Sequence, residues 1–380
     1  MRILIDIRSL NPEVNSGIGE YVQAITLNLL TLDRKNEYLL FYNSGRKKAL
    51  PETLLPYADR VVNWRIPNRI LNLSMGLINQ PKLGLKTSAD VIFSPHFNFV
   101  ASGKTPRIIT LHDISFAHYP DFFSRRQKIW HRFQRWEKQA REAKHIIAVS
   151  EYTREDLIQY LKIPAEKITT IYSGVNPSLQ KSEDAFNSIR PKPKLINYPY
   201  ILYLGTLEPR KNIPAIIRAF NLLKKKPEYK KHRLVLAGKK GWLYQDILTE
   251  AKRSPHLQDI IFWGEGAESD KKILYTGAEI FVYPSFFEGF GFPPLEAQAC
   301  GTPVVVSDRA SLPEILKSSA SYANPWDPMT VASAINQINI DKTLRTRLIA
   351  AGFKNSSRFR WQITAKKTLE IIERYAPHHQ

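Results

Sequence analysis

Short apolar runs recur along this 380-residue chain, each separated from the next by enough residues for a helix. Residues 1–7 alternate apolar and polar side chains and read as a first strand. Tyr38-Leu-Leu-Phe-Tyr42, Asp90-Val-Ile-Phe, Arg107-Ile-Ile-Thr-Leu, His145-Ile-Ile-Ala-Val and Ile168-Thr-Thr-Ile-Tyr follow, most of them rich in β-branched residues. Strands buried on both faces read this way, and parallel strands need long crossover connections. The pattern therefore restricts the chain to the α/β class. It also stops and restarts. Residues 176–198 are polar, contain prolines and show no sustained period. Beyond them come Tyr200-Ile-Leu-Tyr-Leu, Arg233-Leu-Val-Leu-Ala, Ile260-Ile-Phe-Trp, Ile280-Phe-Val-Tyr and Pro303-Val-Val-Val-Ser. The length exceeds one ordinary core. The expectation is two similar-sized domains in tandem, 1–185 and 186–360.

Ligands of such folds bind beyond the carboxyl ends of the strands, so the loops there matter most. One stands out: Tyr283-Pro-Ser-Phe-Phe-Glu-Gly-Phe-Gly-Phe-Pro-Pro-Leu-Glu296. An apolar run leads into it. Pro293 and Pro294 suit the first turn of a helix, where a missing N–H costs little. Between strand and helix lie Gly289, Gly291 and the acid Glu288, and Glu296 follows just inside the helix. Glycines let a ligand approach the backbone, and a carboxylate accepts hydrogen bonds from both hydroxyls of a vicinal diol. The stretch reads as a site for an anionic, sugar-bearing ligand.

After the first strand of the second domain comes Gly205-Thr-Leu-Glu-Pro-Arg-Lys-Asn212. Arg210 offers a planar fork to phosphate oxygens and Lys211 a mobile point charge, with a helix start behind them. Those residues alone fit a diphosphate clamp or a solvated basic turn. The first domain has its own strand–glycine loop–helix order, with Asn11-Pro-Glu-Val-Asn-Ser-Gly-Ile-Gly19 ahead of a helical pattern from Glu20.

Formal net charge is +20 and the isoelectric point about 9.8. Nucleic acid, anionic headgroups and phosphate-bearing substrates would each answer that charge. The basic stretch Ser124–Arg141 carries Ile129, Trp130, Phe133 and Trp136 at helical spacing, which predicts that they pack on the sheet. No nucleic-acid motif accompanies them, so phosphorylated substrates and a membrane surface rank above nucleic acid. Residues 64–86 mix leucine-type residues with Arg65, Arg69, Lys82 and Lys86. They fit an amphipathic element near a lipid or acceptor surface, or equally a buried helix with a basic rim. The single cysteine, Cys300, excludes an internal disulfide and reads as a structural thiol in a reducing compartment. The start lacks the features of a signal peptide, and no run approaches the ~20 apolar residues that span a bilayer. A cytoplasmic location is expected, with peripheral attachment to the inner face of the membrane as an addition.

Taken together, the motifs resemble the retaining, nucleotide-sugar-dependent glycosyltransferases of the GT-B fold, the group 1 glycosyl transferases. Glu288 and Glu296 match their E-x7-E spacing, within Ser285-Phe-Phe-Glu-Gly-Phe-Gly-Phe-Pro-Pro-Leu-Glu-Ala. Gly205-Thr-Leu-Glu-Pro-Arg-Lys-Asn is similar to their phosphate segment. Val149-Ser-Glu-Tyr-Thr, Ala237-Gly-Lys and Ala299-Cys-Gly-Thr-Pro-Val-Val occur in family order, so the likeness runs over almost the whole chain. The resemblance implies two Rossmann-like domains facing across a cleft. The first, acceptor-binding, would carry 361–380 packed back on it, and the second would bind the donor. A hinge would close on donor binding. It implies that Glu288 contacts the donor sugar's hydroxyls and Glu296 the ribose. Arg210 and Lys211 would hold the diphosphate, and backbone amides around Phe290 and Gly291 would meet the sugar. Gly17 would bring the first domain's backbone to the phosphates, and His112, in Leu111-His-Asp113, would lie near the donor sugar. Family members often have two adjacent glycines where this chain has Gly17-Ile-Gly19, which leaves Gly19 without an assigned role.

The implied reaction moves a hexose, mannose or glucose, from GDP or UDP to a glycan or lipid-linked acceptor in cell-surface polysaccharide synthesis. It would retain configuration through a front-face, oxocarbenium-like path, without cofactor or metal, since no Asp-x-Asp pair stands where a metal-bridged diphosphate would need one. The alternatives are a GT-B sugar epimerase, a phosphorylase (disfavoured by chain length), and a basic membrane- or RNA-binding protein on an inactive scaffold.

Overall fold

A computed structural model describes residues 1–10, 17–43, 51–179, 197–266 and 268–375. The chain divides into two units. The first comprises Met1–His118, Arg125–Gly174 and Arg360–Gln380; the second comprises Tyr119–Ser124 and Val175–Phe359. The expected boundary at 185/186 lies outside the described residues, as does the turn-rich stretch 11–16. Two differences from the expected division can be seen. The first unit gives way to the second after Gly174, and Tyr119–Ser124 groups with the second.

The first unit is built on β1 Arg2–Asp6, β2 Glu37–Phe41, β3 Arg60–Val62, β4 Val91–Ser94, β5 Arg107–Leu111, β6 His145–Ala148 and β7 Ile168–Thr170. All pairings are parallel, in the order β3-β2-β1-β4-β5-β6-β7. The second holds β8 Tyr200–Leu204, β9 Arg233–Ala237, β10 Ile260–Gly264, β11 Ile280–Tyr283, β12 Val304–Ser307 and β13 Ser321–Ala323, again parallel, in the order β10-β9-β8-β11-β12-β13. Each sheet winds one way from its first strand and then reverses. The reversal falls between β1 and β4 in one unit and between β8 and β11 in the other. At such a switch point the connections leave the two neighbouring strands in opposite directions, which opens a crevice at their carboxyl ends.

The central strands β4, β5, β6, β11 and β12 are buried along their whole length, as both-face burial requires, while the edge strands β3, β7, β10 and β13 are partly exposed. Ile3, Ile5, Ile92, Phe93, Ile108 and Ile109 are inaccessible to solvent. The helix Trp361–Tyr375 belongs to the first unit, where Trp361 meets Tyr21 edge-on at 5.5 Å and Thr364 Oγ1 donates to the Tyr172 carbonyl. Cys300 is buried, as a structural thiol would be.

Residues 124–141 do not behave as the periodicity predicts. Instead of one sheet-packed helix there are two, Arg125–Phe133 and Trp136–Glu142, broken at Arg135 with φ 46°. The break resets the helical phase. Trp136 is buried, but Ile129, Trp130 and Phe133 remain exposed. In 64–86 two helices form, Asn68–Ile78 and Leu83–Thr87. Leu71, Met75 and Leu83 enter the core, while Ile70, Leu73, Leu77, Ile78 and Leu85 face solvent.

Candidate functional site

The loops that follow β8 and β11 meet at the second unit's switch point. The first carries Gly205–Asn212 and the second Pro284–Gly291. They are tied together by backbone: Phe286 N–H donates to the Arg210 carbonyl at 3.0 Å. Asn212, in a left-handed conformation at φ 56°, ends a 3-10 turn Pro209–Lys211 and leads into the helix Ile213–Leu223. Its side-chain nitrogen donates to the carbonyls of Pro284 and Pro325. Two loops far apart in sequence are thus held in one register.

That register brings Arg210, Lys211 and Glu288 into direct contact. Lys211 Nζ donates to Glu288 Oε1 at 2.7 Å and to the Tyr283 hydroxyl. Arg210 Nη1 lies 3.2 Å from Glu288 Oε2 and donates to the Phe287 carbonyl, and its Nη2 donates to Glu208 Oε1 at 3.0 Å. Ser285 Oγ donates to Glu288 Oε1 at 2.6 Å, and Ser311 Oγ donates to the Glu288 carbonyl. Lys211 is 8% exposed and Glu288 6%. Buried charges on this scale persist only when paired and hydrogen-bonded. Two acids here balance two cations.

Burial alone would push the Glu288 carboxyl up, but Arg210 and Lys211 outweigh it and hold the pKa at about 2. Lys211 shifts down, through burial and the neighbouring Arg210, against the opposing pull of Glu288 and Glu208. The two partners therefore differ: the pair favours the carboxylate strongly, while the ammonium is held at a cost. Glu288 is ionised, with two cations and a hydroxyl in direct contact. The result is a dry, fixed carboxylate beside two fixed cations.

Gly291 begins the helix Phe292–Ala299 at φ 91°, and an added Cβ would meet Leu312 Cδ2 at 2.6 Å. Phe290 is buried against Phe292 and Phe359. Pro293 and Pro294 strip two N–H groups from the first turn, so Phe292 and Leu295 alone keep theirs there. Glu296 is buried on this helix, and its Oε2 accepts from the Tyr275 hydroxyl at 2.9 Å rather than from the cations.

Gly17 and His112 belong to the first unit. Gly17 opens the helix Gly17–Leu32, and nothing among the described residues would meet an added Cβ within 4 Å. Among the described residues, packing therefore does not demand glycine there. His112 follows β5. Its Nε2 lies 2.9 Å from the Pro95 carbonyl, which can only accept, so Nε2 carries the proton and Nδ1 keeps its lone pair. Burial lowers its pKa, so the ring is neutral.

Sequence reasoning passed over Glu208, Tyr283, Ser285 and Ser311. Glu208 was an acid inside a basic segment, and Ser285 stands three residues before Glu288; both were signals. Tyr283 and Ser311 act through their neighbours, and only the fold shows that.

Residues 185–355 match the family model "Glycosyl transferases group 1", and residues 16–179 match "Glycosyltransferase Family 4". The O-antigen chain mannosyltransferase B of Escherichia coli is 33% identical over 94% of this chain and 96% of its own. The O-antigen chain mannosyltransferase RfbU of Salmonella typhimurium is 34% identical over 60% of each. Among solved structures, the sucrose-phosphate synthase of Thermosynechococcus elongatus matches with a TM-score of 0.78 at 18% identity, over 98% of both chains. Anabaena HepE in complex with UDP and glucose matches with a TM-score of 0.72 at 20% identity, over 98% of this chain and all of that one. At those identities the structural likeness speaks to the fold.

Proposed function

The chain belongs to the group 1 glycosyl transferases, and from that premise we propose that it moves mannose from a nucleoside diphosphate to a growing cell-surface glycan. The single observation that carries the reading is the buried Lys211–Glu288–Arg210 cluster at the second unit's switch point. The mannose assignment leans on the E. coli and Salmonella mannosyltransferases, and glucose is the runner-up. Breaking the anomeric bond leaves positive charge on the sugar and negative charge on the diphosphate. Tyr283 and Glu288 take two of the three N–H donors of Lys211, leaving one for a phosphate oxygen. Arg210 adds a second fixed cation. Each such contact is worth about 2–4 kcal/mol in the barrier. Glu288, held ionised, accepts hydroxyls of the donor sugar and opposes the charge developing at its anomeric carbon. Glu296 holds the ribose, and amides around Phe290 and Gly291 meet the sugar. For the first unit we propose Gly17 toward the phosphates and His112 Nδ1 toward a sugar hydroxyl. Configuration is retained by front-face attack, with a donor phosphate oxygen taking the acceptor proton, and neither cofactor nor metal is used.

A screen of nucleotide sugars for hydrolysis and transfer tests this. GDP-mannose or one close relative is expected to turn over, with transfer lost in Glu288→Ala. Equal indifference to every donor would remove the transferase reading, and unchanged transfer by Glu288→Ala would move the site elsewhere.

We also propose peripheral attachment to an anionic membrane. The exposed side chains Ile70, Leu73, Leu77, Ile78 and Leu85 lie in a stretch, Arg60–Ala89, that contains no acid. Nor does Ser124–Trp136, whose Arg135 donates to the Gly76 carbonyl and so ties that stretch to the Asn68–Ile78 helix. An apolar strip in a stretch of the sequence that carries cations and no acid fits a lipid surface. Among the described residues no helix is long and apolar enough to cross a membrane.

A further inference from the structure

The loop after β8 holds a second buried acid, Glu208, to which the proposed reaction gives no part. It is 2% exposed, and its Oε1 accepts from Arg210 Nη2 at 3.0 Å. A carboxylate is an unexpected neighbour for a guanidinium that meets phosphate. Burying it costs free energy, and its charge opposes that of the ligand.

The chain is built to hold Glu208 in place. Its backbone is extended, at φ −143° and ψ 158°, and Pro209 then opens the 3-10 turn Pro209–Lys211. The Lys211 N–H donates back to the Glu208 carbonyl at 3.1 Å. Proline fixes its own φ and restricts the residue before it, so the backbone that sets Glu208 beside Arg210 is stiff. A second loop, which follows β9, braces the first. Leu207 N–H donates to the Lys239 carbonyl at 2.9 Å, and Gly241 N–H donates to the Leu207 carbonyl at 3.0 Å. A Cβ on Gly241 would come within 2.7 Å of the Leu207 carbonyl oxygen and 3.3 Å of Glu208 Cβ. Glycine is what lets this loop close so tightly.

Arg210 is thereby gripped at both ends of its guanidinium. Nη2 meets Glu208, while Nη1 meets the Phe287 carbonyl at 2.7 Å and Glu288 Oε2 at 3.2 Å. Contacts at both terminal nitrogens fix the plane of the group, which a single contact does not. The two acids differ in what else they meet. Glu288 also accepts from Lys211 and Ser285. Glu208 is the more deeply buried, at 2% against 6%, and its ion pair is with Arg210.

We propose that Glu208 is a positioning residue for the transfer: it fixes the plane of the Arg210 guanidinium toward the diphosphate, and its charge weakens the site's grip on the nucleoside diphosphate left once the sugar has moved. The proposal rests on the transferase reading above and deepens it, by naming what lets the product nucleotide go. Without Glu208 the cluster would set two cations against one acid, and a diphosphate would bind more tightly. A leaving group held equally well before and after transfer does not speed the chemical step, and it delays the next cycle.

Two variants separate charge from orientation. Glu208→Gln keeps an oxygen for Arg210 Nη2 and removes the charge. Glu208→Asp keeps the charge but, one methylene shorter, draws it away from Nη2. Both are titrated calorimetrically with GDP and UDP and assayed for transfer, with thermal midpoints alongside. Glu208→Gln is expected to bind the nucleotide at least about fivefold more tightly than the wild type, with product inhibition strengthened to match. Glu208→Asp is expected to keep nucleotide affinity within about twofold while kcat falls at least about tenfold. A merely structural Glu208 predicts weaker nucleotide binding and a lower midpoint in Glu208→Gln. That outcome, unchanged affinity in Glu208→Gln, or wild-type kcat in Glu208→Asp would overturn the assignment. Either variant decides alone if the other loses its fold. Failure of the transferase reading shows differently, as a wild type that binds neither GDP nor UDP.

Discussion

Glu288 concentrates the chemistry of the second unit in one carboxylate. Its folded pKa of about 2 lies below its ordinary value of 4.5, and the sign of the consequence follows. Above pH 4.5 the group is ionised in folded and unfolded chains alike, and its contribution to stability is fully present. As pH falls from 4.5 toward 2, the unfolded chain binds the proton first and the contribution is lost. The shift corresponds to about 3 kcal/mol. Urea unfolding from pH 6 to 2.5 should therefore show a steep acid limb that flattens in Glu288→Gln; an identical limb in both proteins would mean the ion cluster is not formed in solution. At this scale the residues with chemistry of their own were legible. Arg210, Lys211 and Glu288 carry charge in a glycine- and proline-marked setting. Tyr283 and Ser311 were not, because their work is to hold Lys211 and the Glu288 backbone, and that depends on which loops become neighbours.

Among the elements, the loop Pro284–Gly291 depends on one glycine more than on its other members. At φ 91° a Cβ is strained whatever the space, and here it would also strike Leu312. Gly291→Ala should cost about 2 kcal/mol or more in urea unfolding and weaken nucleotide binding with it. A variant of unchanged stability would show that the loop relaxes freely. The strands were legible because burial on both faces writes a continuous apolar run. The helices near Trp130 were not, because period alone cannot see a left-handed residue such as Arg135 that resets the phase. Apolar side chains at helical spacing then read as core although Ile129 and Phe133 face water.

For the whole molecule, the two-domain α/β organisation was legible from the restart of the pattern after residue 198. Strand order was not, since nothing local says that β8 pairs with β11 or β1 with β4. Those pairings create both switch points, and the charged cluster stands at the second of them. The surface makes its own prediction. Binding to phosphatidylglycerol vesicles should fall as salt rises from about 0.05 to about 0.5 M and drop further in Leu77→Glu/Ile78→Glu. Vesicle binding indifferent to salt and to both substitutions would assign the exposed apolar side chains no role at a membrane. The central claim, that the Lys211–Glu288–Arg210 cluster receives a nucleoside diphosphate sugar, is tested most directly by calorimetric titration with GDP and UDP. Micromolar binding of one nucleotide to the wild type, lost in Lys211→Ala while the thermal midpoint stays within a few degrees, is the expected result. Binding of neither nucleotide, or equal affinity in the variant, would contradict it.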